Sequence, residues 1–107
     1  MEVTNDAQGC LQDTHWSGGM IGYFPSYALG SAYGAQMLRV MEQELGDVRS
    51  RIADGGMAEV KNWLGQHIHR HAGFYKPGEL FERTCGKFDA KYYTDYLTKK
   101  YTQLYEL

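Results

Sequence analysis

An apolar side chain recurs at every fourth position through one stretch of this sequence. The row consists of Leu29, Tyr33, Met37, Met41 and Leu45. This spacing places the side chains along one face of an α-helix. Pro25 fits the first turn, where its missing N–H costs no hydrogen bond, and Gly46 fits the end. We therefore predict a long amphipathic helix over roughly residues 25–45.

Other segments carry similar helix signals, and no strand-like alternation stands out, so the predicted fold class is all-α. A polar lead-in precedes a short segment, roughly 7–16, that has helical character. The remaining predicted helices cover residues 47–53, 57–72 with Gly73 as its C-cap, 77–85 ending at Gly86, and 91–105 with Asp89 as its N-cap. We expect residues 1–107 to form a single helical unit.

Two glycines lie inside the first long helix, again four residues apart. Gly30 and Gly34, with Ser31 and Ala35, give the helix a face of small residues. Each glycine costs about 1 kcal/mol relative to alanine in a helix interior. We therefore expect another helix or a substrate to pack very close to this face.

Composition and charge exclude several classes of protein. Eleven lysines and arginines stand against 13 aspartates and glutamates, with no polybasic run, which argues against a nucleic-acid partner. The apolar runs are far shorter than the roughly 20 residues that span a bilayer, and the N-terminus does not resemble a signal peptide. Cys10 and Cys85 are far apart in sequence and form no CxxC pair. Two such cysteines fit a reducing compartment, so we expect a cytoplasmic location.

The segment 9–27 concentrates the polar and aromatic side chains that could form a site. It holds a glutamine, an aspartate, a histidine, a tryptophan and two tyrosines around a glycine loop, Ser17-Gly18-Gly19-Met20-Ile21-Gly22. Glycines allow a backbone to approach a ligand, and tyrosine hydroxyls stay protonated at neutral pH. Such donors can meet negative charge that develops on an oxygen. A buried polar network packed by aromatic rings would leave the same pattern, and the residues alone do not separate the two interpretations.

The same segment resembles the carboxypeptidase Taq family of metallocarboxypeptidases. Gly9-x-x-Gln12-Asp13-x-His15-Trp16 matches the family signature GxxQDxHW in full. The resemblance continues through Gly22-Tyr23-Phe24-Pro25-Ser26-Tyr27, Ile68-His69-Arg70-His71-Ala72-Gly73, Tyr75-Lys76-Pro77-Gly78-Glu79-Leu80 and the tyrosine-rich end. The whole chain is thus similar to about the C-terminal fifth of such an enzyme.

The resemblance implies a helical segment of a zincin-type fold, like those of thimet oligopeptidase and angiotensin-converting enzyme. It also implies an enzyme that hydrolyses C-terminal residues from peptides, with zinc or another divalent metal as cofactor, and a homo-oligomer. In the family, an HExxH helix and a downstream glutamate hold the metal, but this sequence contains no HExxH. We therefore expect no metal ligand here, a chain that is a fragment of the catalytic domain, and no activity in isolation.

The related helical peptidases supply oxyanion donors from a histidine followed by tyrosines. By that analogy His15 contacts the substrate or intermediate, and Tyr23 or Tyr27 donates to the oxyanion. Gly18, Gly19 and Gly22 would let the substrate backbone lie close. Gln12 and Asp13, which we group with these substrate-side residues, are expected to orient His15 or neighbouring groups and not to touch the substrate.

Two alternatives compete with this interpretation. His67 and His71 lie four residues apart and could bind a divalent ion, although histidines packed at a helix end explain the spacing as well. The chain could instead be a non-catalytic helical module that binds a protein partner through its glycine and tyrosine surfaces. In either case, apolar surface that another polypeptide normally covers should drive self-association.

Overall fold

The computed structural model describes residues 2–106, and every regular element in that range is a helix. The six α-helices are α1 (Thr14–Ser17), α2 (Phe24–Leu45), α3 (Val48–Ala53), α4 (Met57–His67), α5 (Pro77–Cys85) and α6 (Lys91–Tyr105). Three short 3₁₀ turns cover Asp6–Gln8, Cys10–Gln12 and His69–His71. The all-α prediction is confirmed. The chain divides into two compact units after Gly30, and each is described below by itself.

The first unit starts with separate turns instead of the helical piece predicted over residues 7–16. The Asn5 side chain accepts the backbone N–H of Gln8 at 3.0 Å, which starts one 3₁₀ turn. Asp13 has an extended backbone and interrupts the run before α1 begins. Asn and Asp side chains compete in this way for nearby backbone groups, and this competition favours caps and turns over a continuous helix.

Helix α2 matches the prediction within one residue at its start and ends at the predicted residue. In the second unit its apolar row supplies Met41 to a core cluster that includes Val48 of α3 and Val60 and Trp63 of α4. Asp47 caps α3 by accepting the N–H of Ser50 at 3.0 Å. The spacing of the apolar residues thus identified the buried face of α2 from Tyr33 to Leu45, whereas Leu29 is 45% exposed.

Helix α4 is shorter than predicted. It ends at His67, and Ile68 leaves the helical region at φ −121° and ψ −64° before a 3₁₀ turn follows. The hydroxyl of Thr84, on α5, donates to the His67 carbonyl at 3.1 Å. A tertiary partner therefore satisfies the His67 carbonyl, which a longer α4 would have used within the helix. The sequence of residues 57–72 does not predict this hydrogen bond.

The predicted C-cap at Gly73 is wrong, because the positive φ falls on the preceding residue. Ala72 lies at φ 45° and ψ −125°, whereas Gly73 has no positive φ. The N–H of Phe74 donates to the His71 carbonyl at 3.0 Å and closes a turn with Ala72 at its second position. This geometry is close to a type II′ turn, where glycine usually fills that position. The backbone of Ala72 is therefore strained.

The last two helices begin and end as predicted. Helix α5 starts at Pro77 and ends before Gly86, whose φ of 75° suits a glycine. The Asp89 carboxylate accepts the N–H of Lys91 at 2.8 Å, and the Asp89 carbonyl accepts the N–H of Tyr92 at 3.3 Å. Asp89 therefore caps the first turn of α6, even though Ala90 already has helical dihedrals.

One buried side chain, Gln36 of α2, joins three elements of the second unit. Its amide nitrogen donates to the carbonyls of Cys85 and Lys87, both at 3.0 Å. Its amide oxygen accepts the N–H of Asp89 at 3.0 Å. Gln36 is 1% exposed. The end of α5, the connection to α6 and the cap of α6 are thus held to the same position on α2.

The close packing predicted at Gly30 and Gly34 is not found among the described residues. A Cβ atom at either position would meet no atom within 4 Å. Ser31, Gly34 and Ala35 instead line one wall of a groove of about 420 Å³, and the facing wall comes from α6: Tyr93, Tyr96, Leu97, Lys100 and Tyr101. The small residues therefore face open space instead of a closely packed neighbour.

Within residues 2–106, none of the helices has the combination of length and apolar character that crossing a bilayer requires.

We predict that Gln36→Met lowers the free energy of unfolding by about 2–3 kcal/mol. Methionine is similar in size to glutamine, but it leaves the Cys85 and Lys87 carbonyls and the Asp89 N–H without their partner. The matched control is Gln43→Met on the exposed side of the same helix, which should change stability by less than about 0.5 kcal/mol. Urea unfolding followed by circular dichroism measures both. Equal effects of the two substitutions would contradict the role of Gln36.

We also predict that Ala72→Gly raises the free energy of unfolding by about 0.5–1 kcal/mol. Relief of backbone strain outweighs the extra entropy that glycine gives the unfolded chain. Gly73→Ala, at a position with open space for a Cβ atom, should not destabilise the chain. Thermal unfolding of both variants tests the turn. If Ala72→Gly is destabilising and Gly73→Ala costs 1 kcal/mol or more, the left-handed residue is Gly73 after all.

Candidate active site

The predicted site residues lie between the 3₁₀ turn that precedes α1 and the first turn of α2, all in the first unit. Asp13 caps α1 by accepting the backbone N–H of His15 at 2.9 Å. Gly18 ends the helix and donates its N–H to the Thr14 carbonyl at 2.9 Å. Gly19 and Gly22 have φ values of 72° and 82°, in the left-handed region that favours glycine. These two glycines bring the chain from the end of α1 to the start of α2.

His15 is surrounded by aromatic rings from the start of α2 and the residue before it. Its ring stacks on Tyr23 with centroids 5.4 Å apart and an interplanar angle of 24°. Phe24 lies 5.0 Å away, and Tyr27 meets the imidazole edge-on at 6.3 Å. Tyr23 and Tyr27 also contact each other edge-on at 5.3 Å. The fold therefore brings together the histidine and both tyrosines that the sequence singled out.

The Asp13 carboxylate contacts the His15 ring as well as its backbone. Asp13 Oδ1 contacts His15 Nδ1, and the same oxygen accepts the His15 backbone N–H. The backbone N–H of His15, followed by its ring, holds the pKa of the Asp13 carboxyl below its usual range. Asp13 is therefore ionised at neutral pH and acts only as an acceptor.

The two tyrosines remain open to solvent. Tyr23 is 45% exposed and Tyr27 is 56% exposed. Partial desolvation, and then the neighbouring Tyr23 and Asp13, raise the pKa of the Tyr27 hydroxyl above its ordinary value. Tyr27 thus keeps its proton at neutral pH and can serve as a hydrogen-bond donor. Within the described residues, these rings are therefore only partly enclosed.

The remaining predicted substrate-side residues have simple local explanations. Gln12 is exposed and ends a 3₁₀ turn by donating its N–H to the Gly9 carbonyl at 3.2 Å. A Cβ atom on Gly18 would come within 3.2 Å of the Thr14 carbonyl oxygen. Gly19 and Gly22 are required by their backbone dihedrals. A role for these glycines in substrate approach stays a prediction.

Sequence analysis does not single out Phe24, although its ring contacts His15. It also packs against Trp16 at 5.4 Å and Tyr27 at 6.2 Å, which makes it the centre of the aromatic group. The available signal was its position between Tyr23 and Pro25. Because α2 begins at Phe24, this residue and Tyr27, one turn later, lie on the same face of the helix.

The histidines considered as metal ligands in the second unit have other partners. His67 Nδ1 bonds to the Trp63 carbonyl at 2.9 Å, and its ring stacks on Trp63 at 4.3 Å. Its Nε2 lies 3.8 Å from Glu44, which also accepts the Trp63 indole N–H at 2.8 Å. His71 packs against Tyr75 at 5.5 Å. These contacts favour the structural interpretation of His67 and His71.

The described residues do not fit the metal that the family resemblance implies. Across residues 2–106, no three histidine, cysteine, aspartate or glutamate side chains are grouped so that they could hold an ion. The polar residues around His15 include one carboxylate, one imidazole and phenols. This set can donate and accept hydrogen bonds, and within residues 2–106 it does not form a metal centre.

Comparison with known proteins identifies the family to which this helical site belongs. A model of the carboxypeptidase Taq (M32) metallopeptidase family matches residues 1–101. The match covers nearly the whole chain, including the signature around His15. The chain therefore belongs to the carboxypeptidase Taq family of metallopeptidases.

Three curated relatives are similar over most of this chain. Carboxypeptidase 1 of Bacillus subtilis is 41% identical over 103 residues, which are 95% of this chain and 21% of that protein. Thermostable carboxypeptidase 1 of Thermus thermophilus is 41% identical over 98 residues, covering 91% and 19%. The thermostable carboxypeptidase 1 of Pyrococcus furiosus is 35% identical over 96 residues, covering 89% and 19%. The chain thus spans about a fifth of the length of these relatives.

A solved structure supports the same conclusion for the fold. The crystal structure of BsuCP matches with a TM-score of 0.83 and 38% identity, over 97% of this chain and 21% of that one. The fold class expected from the resemblance, a helical segment of a zincin-type metallopeptidase, is confirmed.

Proposed function

We propose that this chain is the donor-bearing segment of a metal-dependent carboxypeptidase, which hydrolyses C-terminal residues from peptides. The observation that carries the proposal is the grouping of His15, Tyr23 and Tyr27 at the family signature, with both phenols open to solvent. The relatives named carboxypeptidase support the reaction class. A peptide is accordingly the substrate that we propose.

Hydrolysis of a peptide bond passes through a tetrahedral intermediate whose former carbonyl oxygen carries negative charge. Preorganised donors aimed at that oxygen lower the barrier, and loss of one donor typically costs about 2.7–4 kcal/mol. A phenol with a raised pKa, such as that of Tyr27, remains a donor across neutral pH. We assign Tyr23 or Tyr27 as the oxyanion donor and His15 as a contact to the substrate or intermediate.

The substrate-side residues surround these donors in sequence. Gly18, Gly19 and Gly22 add no side chains to the turn that they share with Met20 and Ile21, and an extended peptide backbone could approach at the glycines. Gln12 is exposed on the preceding turn. Asp13 contacts His15, which supports an orienting role for the carboxylate.

Zinc or another divalent metal belongs to this proposal through the family, and polypeptide outside this chain would hold it. The described residues form no metal centre, so no catalytic step is assigned to the metal here. The 107-residue chain alone is therefore expected to release no C-terminal amino acid from a peptide.

A cytoplasmic location is part of the same proposal. Cys10 is exposed and free, and Cys85 is a free, half-buried thiol. Burial raises the pKa of the Cys85 thiol to about 11, so it stays protonated and unreactive. Free cysteines of this kind suit a reducing compartment.

The decisive experiment places this chain in an active enzyme. In carboxypeptidase 1 of Bacillus subtilis, the matching fifth of the sequence is replaced by this one. Tyr23→Phe or Tyr27→Phe in that chimera should lower kcat about a hundredfold, because the oxyanion loses a donor while metal binding is unaffected. Release of the C-terminal residue from a peptide measures turnover, and metal analysis measures occupancy.

The control is Tyr105→Phe, an exposed tyrosine at the end of α6. It should leave turnover of the chimera unchanged, and the isolated chain provides the background. Near-normal turnover in both the Tyr23 and the Tyr27 variants would remove the oxyanion assignment. Loss of metal together with turnover would reassign these tyrosines to structural support.

A second candidate function, a helical module that binds protein, is favoured by the exposed apolar side chains. They occur in both units and include Val3, Leu11, Ile21, Phe74 and Leu104. Phe74 is 82% exposed, immediately after the strained turn at Ala72. Exposed apolar surface of this kind marks interaction sites or association between copies.

We predict that the isolated chain self-associates into a homo-oligomer, because association covers these side chains. Sedimentation velocity at several concentrations should give a weight-average mass that rises above 12.2 kDa. Phe74→Ser should weaken the association. Tyr105→Ser removes an exposed ring from a different surface, and comparing the two variants shows whether the effect depends on the position of the ring. A monodisperse monomer over the whole concentration range would contradict the prediction.

A further inference from the structure

We infer that Asp13 is a positioning residue that holds neutral His15 in the Nδ1–H tautomer, so that the ring presents an unprotonated Nε2. The inference deepens the proposed function by assigning His15 a hydrogen-bond role. Only this catalytic consequence rests on the proposed function, because the tautomer is a property of the chain itself.

A single carboxylate oxygen of Asp13 makes two contacts with His15. Asp13 Oδ1 accepts the backbone N–H of His15 at 2.9 Å, and it also contacts the Nδ1 atom of the same residue. An ionised carboxylate has no proton to donate, so Nδ1 must carry the hydrogen in that contact. In a neutral imidazole only one nitrogen is protonated, and Nε2 is left as an acceptor.

The surrounding aromatic rings define the plane of the His15 ring. Tyr23, Phe24 and Tyr27 all contact the imidazole, with centroids between 5.0 and 6.3 Å away. The His15 side chain is 21% exposed. A 180° flip of the ring would keep this plane, but it would place a C–H group instead of Nδ1 at the Asp13 carboxylate, so the charge-assisted contact with Asp13 decides the orientation.

The tautomer determines which site residues donate hydrogen bonds and which accept them. A neutral His15 cannot donate from Nε2, so the oxyanion donors at neutral ring charge are the tyrosine hydroxyls. Nε2 instead accepts a hydrogen bond, and a backbone N–H of the peptide substrate is the partner that this chemistry suits.

The test is long-range ¹H–¹⁵N correlation NMR of the histidine rings in the full 107-residue chain, at a pH where the spectrum reports a neutral His15. The wild-type spectrum should show the hydrogen on Nδ1. Asp13→Ser keeps an N-cap for α1 but removes the carboxylate that reaches Nδ1. In that variant the hydrogen should move to Nε2 in most molecules, with the chemical shifts of the two ring nitrogens exchanged.

Two readouts separate positioning from a structural effect. Backbone chemical shifts of residues 14–17 report whether α1 persists in Asp13→Ser, and the exposed ring of His69 is the internal control, whose tautomer should not change. A wild-type His15 that carries its hydrogen on Nε2 overturns the inference, whatever the variant does. An unchanged Nδ1–H tautomer in Asp13→Ser, with α1 intact, also overturns it.

This result is distinguishable from failure of the proposed function. Normal turnover of both tyrosine variants of the chimera would remove the oxyanion role and leave the His15 tautomer as measured. Conversely, an Nε2–H ring would remove the role of Asp13 and leave the tyrosine donors in place.

Discussion

The hydrogen bonds of Gln36 are the constraint on which the second unit depends. The Gln36 amide donates to the carbonyls of Cys85 and Lys87, near the end of α5, and accepts the N–H of Asp89, just before α6. All three partners lie about 50 residues further along the chain. Apolar packing is non-directional and could accept several registers between these helices. The Gln36 amide allows only one of these registers, because its donor and acceptor groups must both form hydrogen bonds inside the protein. That register also accompanies the placement of Tyr93, Tyr96 and Tyr101 of α6 across the groove from α2.

Most helix boundaries were predictable because the signals are local. Pro25, Gly46, Pro77 and Gly86 act on their own turns, and the structure places helix ends beside each of them. The predicted end of α4 failed because it involves a distant partner, Thr84, which no window of neighbouring residues contains. The helix predicted over residues 7–16 failed for a local reason, since Asn5 and Asp13 cap separate turns. The left-handed residue falls on Ala72 although a glycine follows.

The candidate site was predictable in composition but not in geometry. The signature contains Asp13 and His15, the two tyrosines follow in the segment where the resemblance continues, and the structure brings the rings of His15, Tyr23 and Tyr27 into contact. Sequence spacing could not reveal that one carboxylate oxygen serves both the helix cap and the imidazole. It also missed Phe24, because a phenylalanine at a helix start resembles ordinary core packing until the ring contacts are known.

The two tryptophans of the chain fall one in each unit, in opposite environments. Trp63 is buried, its indole N–H is bound to Glu44, and its ring is stacked on His67. Trp16 lies at the protein surface beside Phe24. The two tryptophans should therefore differ in emission maximum, and the buried indole of Trp63 should emit at the shorter wavelength. Melting of each unit can be followed optically without attaching a dye.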